Sequence, residues 1–153
     1  MSTSVSGNAA PAEAWVDGAS RGNPGEAGFG LLFRLGERSD EICGFLGRTT
    51  NNVAEYAGLI AALTLATREK VESLTVYSDS QLLVRQIQGQ YRVKAPHLVP
   101  IFLKALQLRQ QIAHFEIRHV PREDNRDADR LANQAIDLRT SLPEWLELEA
   151  PTS

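Results

Sequence analysis

The strongest constraint on the fold is a change in the spacing of apolar residues near residue 50. Before it, three apolar runs are separated only by short turn sequences, which is typical of an antiparallel meander. After it, segments of good helix formers alternate with short apolar runs, and strands separated by helices are usually parallel. The sequence therefore predicts an α/β fold with a mixed five-stranded sheet, three antiparallel strands followed by two parallel ones, and helices on both faces.

The predicted elements are bounded by turn and capping residues. The first strand is expected to end at Asp17 because Gly18 interrupts it, and Thr50 or Asn51 is expected to cap the first helix. The strands are predicted over residues 14–17, 27–35, 41–47, 74–78 and 114–120. The helices are predicted over residues 53–68, 80–88, 96–111 and 125–138.

The flanking regions predict the domain organisation. Residues 1–11 are rich in Ser, Gly and Ala and lack the pattern of a signal peptide, so a disordered segment is expected. The folded domain is predicted over residues 12–140, with residues 141–153 as a C-terminal tail. No apolar run approaches the roughly 20 residues that span a bilayer. Cys43 is the single cysteine and cannot form an intramolecular disulfide, so a cytoplasmic location without membrane contact is expected.

The net charge excludes a broad electrostatic attraction to nucleic acid. The formal charge is −3, whereas most nucleic-acid-binding domains carry a basic surplus. Any contact with nucleic acid must therefore come from a local patch and from bound metal cations.

Two aspartates stand where predicted strands end. Asp17 closes the first strand and Asp79 follows the fourth. Sites in open sheets form at the carboxyl ends of adjacent parallel strands, so these side chains converge if the two strands are neighbours. Each aspartate alone is equally well explained as a turn former, and Asp79 can also cap the helix that follows it.

Two further acids lie on the apolar faces of predicted helices. Glu55 is followed by apolar residues four, seven and eight positions later, and Asp129 by apolar residues three and seven positions later. Because a solvated acid belongs on the opposite face, both side chains are predicted to face the sheet. The helix N-terminus also favours a carboxylate, which explains the position of Glu55 along its helix without explaining its face.

A cluster of these four carboxylates predicts a metal site. Without a cation the acids would repel one another strongly. Oxygen ligands without His or Cys partners suit Mg²⁺ or Mn²⁺. Two such ions, roughly 4 Å apart, can activate a water molecule and stabilise the leaving oxygen in phosphoryl transfer.

Four segments of the chain resemble type 1 ribonuclease H. Each is a weak signal alone, but they occur in the order and spacing of the family and together cover roughly residues 14–138. The segments begin at residues 16, 50, 77 and 119 and read VDGASRGNPG, TNNVAEY, YSDSQ and HVPREDNRDADRLA. The resemblance implies the ribonuclease H-like fold and hydrolysis of the RNA strand of RNA–DNA hybrids, leaving 5′-phosphate and 3′-hydroxyl ends.

The resemblance also implies a cofactor and a partner. Two Mg²⁺ ions are expected when substrate is bound, with Mn²⁺ as a substitute. The implied metal-binding acids are Asp17, Glu55, Asp79 and Asp129. The implied partner is the hybrid duplex, and a monomer without an obligate protein partner is expected.

Substrate contacts follow from the same resemblance. The Gly22–Asn23 turn and Gln81 are implied contacts to the minor groove and the RNA 2′-hydroxyls, which a polar loop can reach. Thr50 and Asn51 are implied parts of a pocket for a DNA phosphate, which suits the N-terminus of a helix. Simpler roles stay open, because Asn23 is a common turn former and Thr50 and Asn51 can act as caps.

The sequence departs from many bacterial members at the connection between the second and third helices. Those members carry a long basic protrusion that contains tryptophan, whereas residues 89–96 form a short connection with Tyr91 as its aromatic residue. In this respect the chain resembles the compact archaeal-type variants. A weaker and more salt-dependent grip on substrate is expected.

A second departure concerns the group that assists proton transfer and product release. Many members place a flexible histidine before the last helix, and His119 lies ten residues before Asp129. Compact variants use an arginine, which corresponds to Arg122 here. We favour Arg122, because a guanidinium cannot act as a base at neutral pH but can stabilise phosphate charge.

Other functions are compatible with the same fold. A relative can act on duplex RNA or on DNA at a junction, although Asn23 and Gln81 argue against a nuclease that acts only on DNA. A silent nucleic-acid-binding module usually loses its metal ligands first, and here all four acids are present. A structural interaction domain gives no reason for acids on apolar helix faces.

Overall fold

The fold is built on a five-stranded sheet, which the computed structural model describes together with the rest of residues 10–149. Its strands are β1 (Ala12–Gly22), β2 (Gly25–Leu35), β3 (Arg38–Thr49), β4 (Ser73–Ser78) and β5 (His114–His119). They lie in the order β3-β2-β1-β4-β5. The pairs β1–β2 and β2–β3 are antiparallel, and β1–β4 and β4–β5 are parallel, which confirms the predicted mixed sheet.

The helices follow the predicted order along the chain. They are α1 (Asn51–Arg68), α2 (Gln81–Ile87), α3 (Val99–Arg109) and α4 (Arg126–Leu138). Thr50, not Asn51, is the N-cap of α1, because its hydroxyl oxygen accepts a hydrogen bond from the Val53 amide at 3.2 Å. Short 3-10 turns over Pro96–Leu98 and Arg122–Asp124 precede α3 and α4.

The third helix begins later than predicted. An α-helix that started at Pro96 would require the nitrogen of Pro100 to donate to the Pro96 carbonyl, and proline has no amide hydrogen. The chain instead forms a 3-10 turn and begins α3 at Val99, which places Pro100 in the first turn, where a missing donor is harmless.

The prediction that the first strand ends at Asp17 is wrong. β1 continues through Gly18 because its antiparallel pairing with β2 extends as far as Gly22 opposite Gly25. Its parallel pairing with β4 stops at Val16 opposite Ser78. Asp17 therefore lies inside β1 but at the point where β1 and β4 separate, which is the position that the argument from parallel strands requires.

Two glycines allow helices to pack closely on opposite faces of the sheet. A Cβ atom at Gly18 would lie 2.3 Å from the Glu55 backbone nitrogen in α1, and one at Gly30 would lie 2.2 Å from the Ala128 carbonyl oxygen in α4. Gly30 is paired with Asp17, the neighbour of Gly18. Because successive strand residues face opposite sides, α1 and α4 cover different faces, as predicted.

The chain after α4 packs on the sheet and the core. The Phe45 amide in β3 donates to the Thr140 carbonyl oxygen at 2.7 Å, and Leu146 is 9% exposed. The predicted disordered segment 1–11 falls mostly on residues 1–9, which lie outside the described residues. Within residues 10–149, no helix is long and apolar enough to cross a membrane.

Candidate active site

Three carboxylates meet where β1 and β4 separate. Asp17, Glu55 and Asp79 each offer an oxygen atom, and these atoms all lie within 4.8 Å of one another. Asp17 follows the last residue of β1 that pairs with β4, and Asp79 follows the end of β4. The two aspartates therefore lie together, as expected for acids at the carboxyl ends of adjacent parallel strands.

Asp79 does not cap the helix that follows it. Ser80 is the N-cap of α2, and its hydroxyl oxygen accepts a hydrogen bond from the Leu83 amide at 3.1 Å. The Ser80 amide donates to the hydroxyl oxygen of Ser78 at 3.0 Å. Because the two serines satisfy the local backbone, the Asp79 carboxylate is not needed there and lines a cavity instead.

Glu55 reaches the aspartates from the second turn of α1. The close approach at Gly18 brings the backbone of Glu55 directly onto β1. The Glu55 residue is only 9% exposed, and the Asn51 side-chain amide donates to its Oε2 atom at 3.3 Å. Its position on the apolar face of the helix therefore directs the carboxylate into the site, not into solvent.

Asp129 enters from α4 on the other face of the sheet. All four predicted acids line one cavity of about 470 Å³, together with Arg122. This space is called the acid cavity below. Asp129 lies outside the group of three whose oxygens are mutually within 4.8 Å. The structure thus brings the four acids to one place, with Asp129 at its edge.

Burial and mutual repulsion raise the pKa values of the clustered acids. Burial, followed by the Asp79 carboxylate, raises the pKa of Asp17 to about 8. Burial raises the pKa of Glu55 to about 7, although hydrogen bonds oppose the shift. Burial also raises the pKa of Asp79, while the positive charge of Arg122 lowers it. The folded chain therefore disfavours full ionisation of the cluster unless a cation compensates for its charge.

The Gly22–Asn23 turn lies beside the N-terminus of α1. The side-chain oxygen of Asn23 accepts a hydrogen bond from the Asn51 backbone amide at 3.0 Å. Gly22 has φ of +114°, a conformation that favours glycine. With Thr50 as the N-cap, these residues have structural roles at the start of α1. Asn23 keeps its amide N–H groups, and Thr50 its hydroxyl proton, as donors that these bonds do not use.

Gln81 and His119 do not line the acid cavity. They lie in a second cavity of about 280 Å³ beside α2 and the end of β5, together with Arg85, Gln88 and Gln90. We call it the amide cavity, and no Asp or Glu is among the described residues that line it. The two candidates for assisting proton transfer are thereby separated, because Arg122 lines the acid cavity and His119 the amide cavity.

Comparisons with known sequences place these motifs in a family. A family profile described as reverse transcriptase-like matches residues 15–135. The bifunctional protein Rv2228c of Mycobacterium tuberculosis is 43% identical over 125 residues, which are 80% of this chain and 34% of that protein. Ribonuclease HI of Halobacterium salinarum is 40% identical over 126 residues, which are 81% of this chain and 63% of that protein.

Solved structures agree with the sequence matches. The N-terminal RNase H domain of Rv2228c has a TM-score of 0.81 at 40% identity and covers 85% of this chain and 96% of that one. LC11-RNase H1 in complex with an RNA/DNA hybrid has a TM-score of 0.77 at 38% identity, covering 84% of this chain and 98% of that one. The chain belongs to the type 1 ribonuclease H family. It spans about a third of the length of the mycobacterial relative and 63% of the halobacterial one.

The acid cavity of this ribonuclease H family member fits a divalent cation. Its clustered donor atoms are carboxylate oxygens without His or Cys, the set preferred by hard cations. In the described range, 10–149, no ion pair within 4.0 Å involves any of the four acids. A divalent cation would relieve the repulsion that raises the pKa values of Asp17 and Asp79.

Sequence reasoning missed Asn133, which lines the acid cavity, and Asn125, which helps to fix α4 beside it. Asn125 is 1% exposed, and its side-chain nitrogen donates to the Val16 carbonyl oxygen at 2.9 Å, which fixes the start of α4 against β1. Asn133 lines the acid cavity and donates to the Asp129 carbonyl oxygen at 3.0 Å. The available signal for Asn133 was its spacing, since residues four apart share one helix face. No comparable signal marks Asn125.

Proposed function

We propose that the chain is an endoribonuclease that hydrolyses the RNA strand of RNA–DNA hybrids by a two-metal-ion mechanism, leaving 5′-phosphate and 3′-hydroxyl ends. The observation that carries the proposal is the convergence of Asp17, Glu55 and Asp79 within 4.8 Å. The presence of Asp129 and Arg122 in the same cavity supports it. Similarity to LC11-RNase H1, which was solved with an RNA/DNA hybrid, supports the class of substrate.

The four acids are proposed to hold two Mg²⁺ ions when substrate is bound, with Mn²⁺ as a substitute. Bound ions activate the attacking water and stabilise the leaving oxygen. Asp17 is held for this role by the Gly18 amide, which donates to its Oδ1 atom at 2.9 Å, and it is only 7% exposed. A carboxylate fixed by backbone and burial is already oriented as a ligand before the cation arrives.

Arg122 is proposed to stabilise the negative charge of the reacting phosphate. Its positive charge lowers the pKa of Asp79, so the guanidinium acts electrostatically on the cluster. A guanidinium cannot serve as a general base at neutral pH. His119 is proposed to contact substrate in the amide cavity, because it does not line the acid cavity.

The amide cavity is proposed to bind the backbone of the complementary DNA strand. Its glutamines and Arg85 donate hydrogen bonds, and no acid among its described lining residues would repel phosphate. The Arg85 guanidinium donates to the Tyr91 hydroxyl oxygen at 2.9 Å, which anchors the short connection after α2. Gly22, Asn23 and Gln81 are proposed to face the minor groove between the strands. Thr50 and Asn51 are proposed to contact a DNA phosphate near the start of α1.

The proposal includes the organisation and setting of the protein. Residues 12–140 are proposed as the catalytic domain, with residues 1–11 and the tail over residues 141–153 outside it. The short connection after α2 supports assignment to the compact archaeal-type variants. A cytoplasmic monomer without an obligate protein partner is proposed, and sedimentation velocity of the full chain tests the monomer.

The test is cleavage of an end-labelled RNA–DNA hybrid in Mg²⁺, Mn²⁺ or EDTA. Single-stranded RNA, duplex RNA and duplex DNA serve as parallel substrates, and Asp17→Asn serves as the matched inactive variant. Metal-dependent cutting of only the RNA strand of the hybrid is expected. A folded wild-type protein that binds the hybrid but cuts nothing under either metal would identify a silent binding module instead.

A further inference from the structure

Asn133 joins Asp129 to Arg21, and all three residues line the acid cavity. Its side-chain nitrogen donates to the Asp129 carbonyl oxygen at 3.0 Å and to the carboxylate Oδ1 atom at 3.4 Å. Its side-chain oxygen accepts a hydrogen bond from Arg21 Nη2 at 3.3 Å. A carboxylate can only accept and a guanidinium can only donate, so the two neighbours permit a single orientation of the amide.

Arg21 is itself anchored to α4. Its Nη1 atom lies 2.7 Å from Asp137 Oδ1, while Nη2 contacts Asn133. Asp129, Asn133 and Asp137 are spaced four residues apart, so they form one stripe along the helix. Arg21, from the end of β1, therefore contacts two successive positions of the stripe that begins with Asp129.

The ion pair is too exposed to be explained by stability. The side chains of Arg21 and Asp137 are 47% and 59% exposed, and ion pairs with this exposure contribute little to folding. Both Arg21 and Asn133 nevertheless line the acid cavity. The contacts of Arg21 and Asn133 are therefore better explained by the orientation of Asp129 than by stability. Asp129 lies at the edge of the three-carboxylate group.

We propose that Asn133 is a positioning residue that orients the Asp129 carboxylate for metal binding, and that Arg21 acts through Asn133 by fixing its amide. Hydrogen bonds to a metal-binding carboxylate from outside the ligand set reduce its rotation and keep its oxygens directed at the ion. The inference rests on the proposed role of Asp129 as a ligand. It assigns to Asn133 and Arg21 no contact with the reacting atoms.

The test is calorimetric titration of Mn²⁺ into the full chain without substrate. Asn133→Leu keeps a side chain of similar size but removes the hydrogen bonds to Asp129 and the one from Arg21. Partners of metal ligands typically affect metal affinity by about 10–100-fold, and roughly tenfold weaker binding is expected here at the sites to which Asp129 contributes. Gln134→Leu is the matched control, because Gln134 is exposed on the next position of α4 and is expected to leave affinity unchanged.

A double-mutant cycle separates positioning from a general effect on the fold. In an Asp129→Asn background, Asn133→Leu is expected to cause no further loss of Mn²⁺ affinity, because the carboxylate that it orients is absent. Arg21→Ala is expected to weaken Mn²⁺ binding less than Asn133→Leu and to add nothing to that variant. The melting temperature of each metal-free variant reports whether the fold is intact.

The outcomes distinguish this inference from the proposed function. If the wild type binds Mn²⁺ and Asn133→Leu binds it equally well, the positioning role is overturned and the nuclease proposal stands. Losses that add fully between Asn133→Leu and Asp129→Asn also overturn it. If Arg21→Ala leaves Mn²⁺ affinity unchanged and raises only KM for the hybrid, Arg21 contacts substrate and does not act through Asn133. A wild type that binds no Mn²⁺ without substrate overturns this inference, while the hybrid cleavage assay tests the proposed function independently.

Discussion

The acid cavity and the outer surface of the protein shift the pKa values of carboxylates in opposite directions. On the surface, Glu116 accepts a hydrogen bond from Arg118 Nε at 2.6 Å, and this bond lowers the pKa of Glu116. In the acid cavity, burial raises the pKa of Glu55 to about 7. The same functional group is therefore stabilised as an anion in one region and destabilised as an anion in the other.

This difference shows how electrostatics can mark a site for a cation. A surface pair satisfies itself and gains little from any added ion. A buried group of like charges is unfavourable in the folded chain, so a cation that enters it relieves repulsion and stabilises the fold. The acid cavity is recognised by its unfavourable electrostatics as much as by its shape.

The largest expected effect comes from removing one charge from the acid cavity. Asp17→Asn is expected to slow hybrid cleavage by on the order of 10³-fold or more, as for other losses of transition-state charge stabilisation. The residue sits in the cluster and is not required for core packing, so the fold is expected to persist. Single-turnover cleavage in Mg²⁺ measures the rate, and circular dichroism monitors the fold.

The matched surface variant is Asp127→Asn. Asp127 is exposed, lies two residues before Asp129 and pairs with Arg130 at 3.5 Å. Its substitution is expected to leave cleavage near the wild-type rate. Wild-type turnover by a folded Asp17→Asn protein would contradict the site, and equal losses in both variants would contradict the distinction between cavity and surface.

The next largest effect is expected to distinguish the role of the acid cavity from that of the amide cavity. Arg122→Ala is expected to lower kcat by about 10–100-fold, equivalent to about 1.4–2.8 kcal/mol of transition-state stabilisation. His119→Ala is expected to raise KM for the hybrid with a smaller change in kcat, because His119 lines the amide cavity. Steady-state kinetics at saturating Mg²⁺ measures both constants. The reverse pattern, with kcat lost in His119→Ala only, would make His119 the assisting group.

A smaller effect is expected in the pH dependence of stability without metal. Asp17 has an ordinary pKa of 3.8 and a folded-state pKa of about 8, so between these values the folded chain binds a proton that the unfolded chain lacks. The stabilisation from that proton is complete below pH 3.8 and is lost as pH rises through about 8. Stability in EDTA should therefore fall between about pH 5.5 and 8.5, and added Mg²⁺ should restore it at the higher pH.

Urea unfolding at several pH values measures this dependence. Asp17→Asn carries no titrating group at that position, so its stability should fall less over the same range, by a difference of about 1–3 kcal/mol. Identical pH profiles for the variant and the wild type would show that Asp17 does not titrate in a repulsive cluster.

The smallest effect is expected at the surface pair. Glu116→Gln removes an exposed carboxylate that forms an ion pair with Arg118. Neither the melting temperature nor the cleavage rate should change beyond the error of replicate measurements. A loss of cleavage comparable to that of Arg122→Ala would mean that Glu116 in β5 contributes to the active site.

The spacing of apolar residues in the sequence was sufficient to predict the sheet and to predict where the acids lie. Glu55 could be assigned to the buried side because its helix face is apolar, and the structure places it there at 9% exposure. Asp17 lies near Asp79, as the sequence predicts, although β1 does not end at that residue. Gly18 does not end β1, since pairing with β2 outweighs the low strand preference of glycine.

The sequence could not predict contacts that depend on packing between distant segments. The bond from Asn125 to Val16 spans 109 positions and the bond from Arg21 to Asn133 spans 112. Amides at such positions have no periodic signature, and their partners are fixed only once α4 has packed on the sheet. The separation of His119 from the acid cavity has the same origin, because it depends on where β5 lies beside α2.

The close packing of α4 against Gly30 has a consequence for how the acid cavity forms during synthesis. The first three acids and most of the sheet are made early, but the fourth acid and the arginine of the site belong to segments translated roughly a hundred residues after β1. Domains generally fold as units, so a site built from distant segments forms only when all of those segments are present. A growing chain that already contains Asp17, Glu55 and Asp79 therefore lacks Arg122 and Asp129, which complete the acid cavity. The cavity is completed late in synthesis, when α4 packs against Gly30.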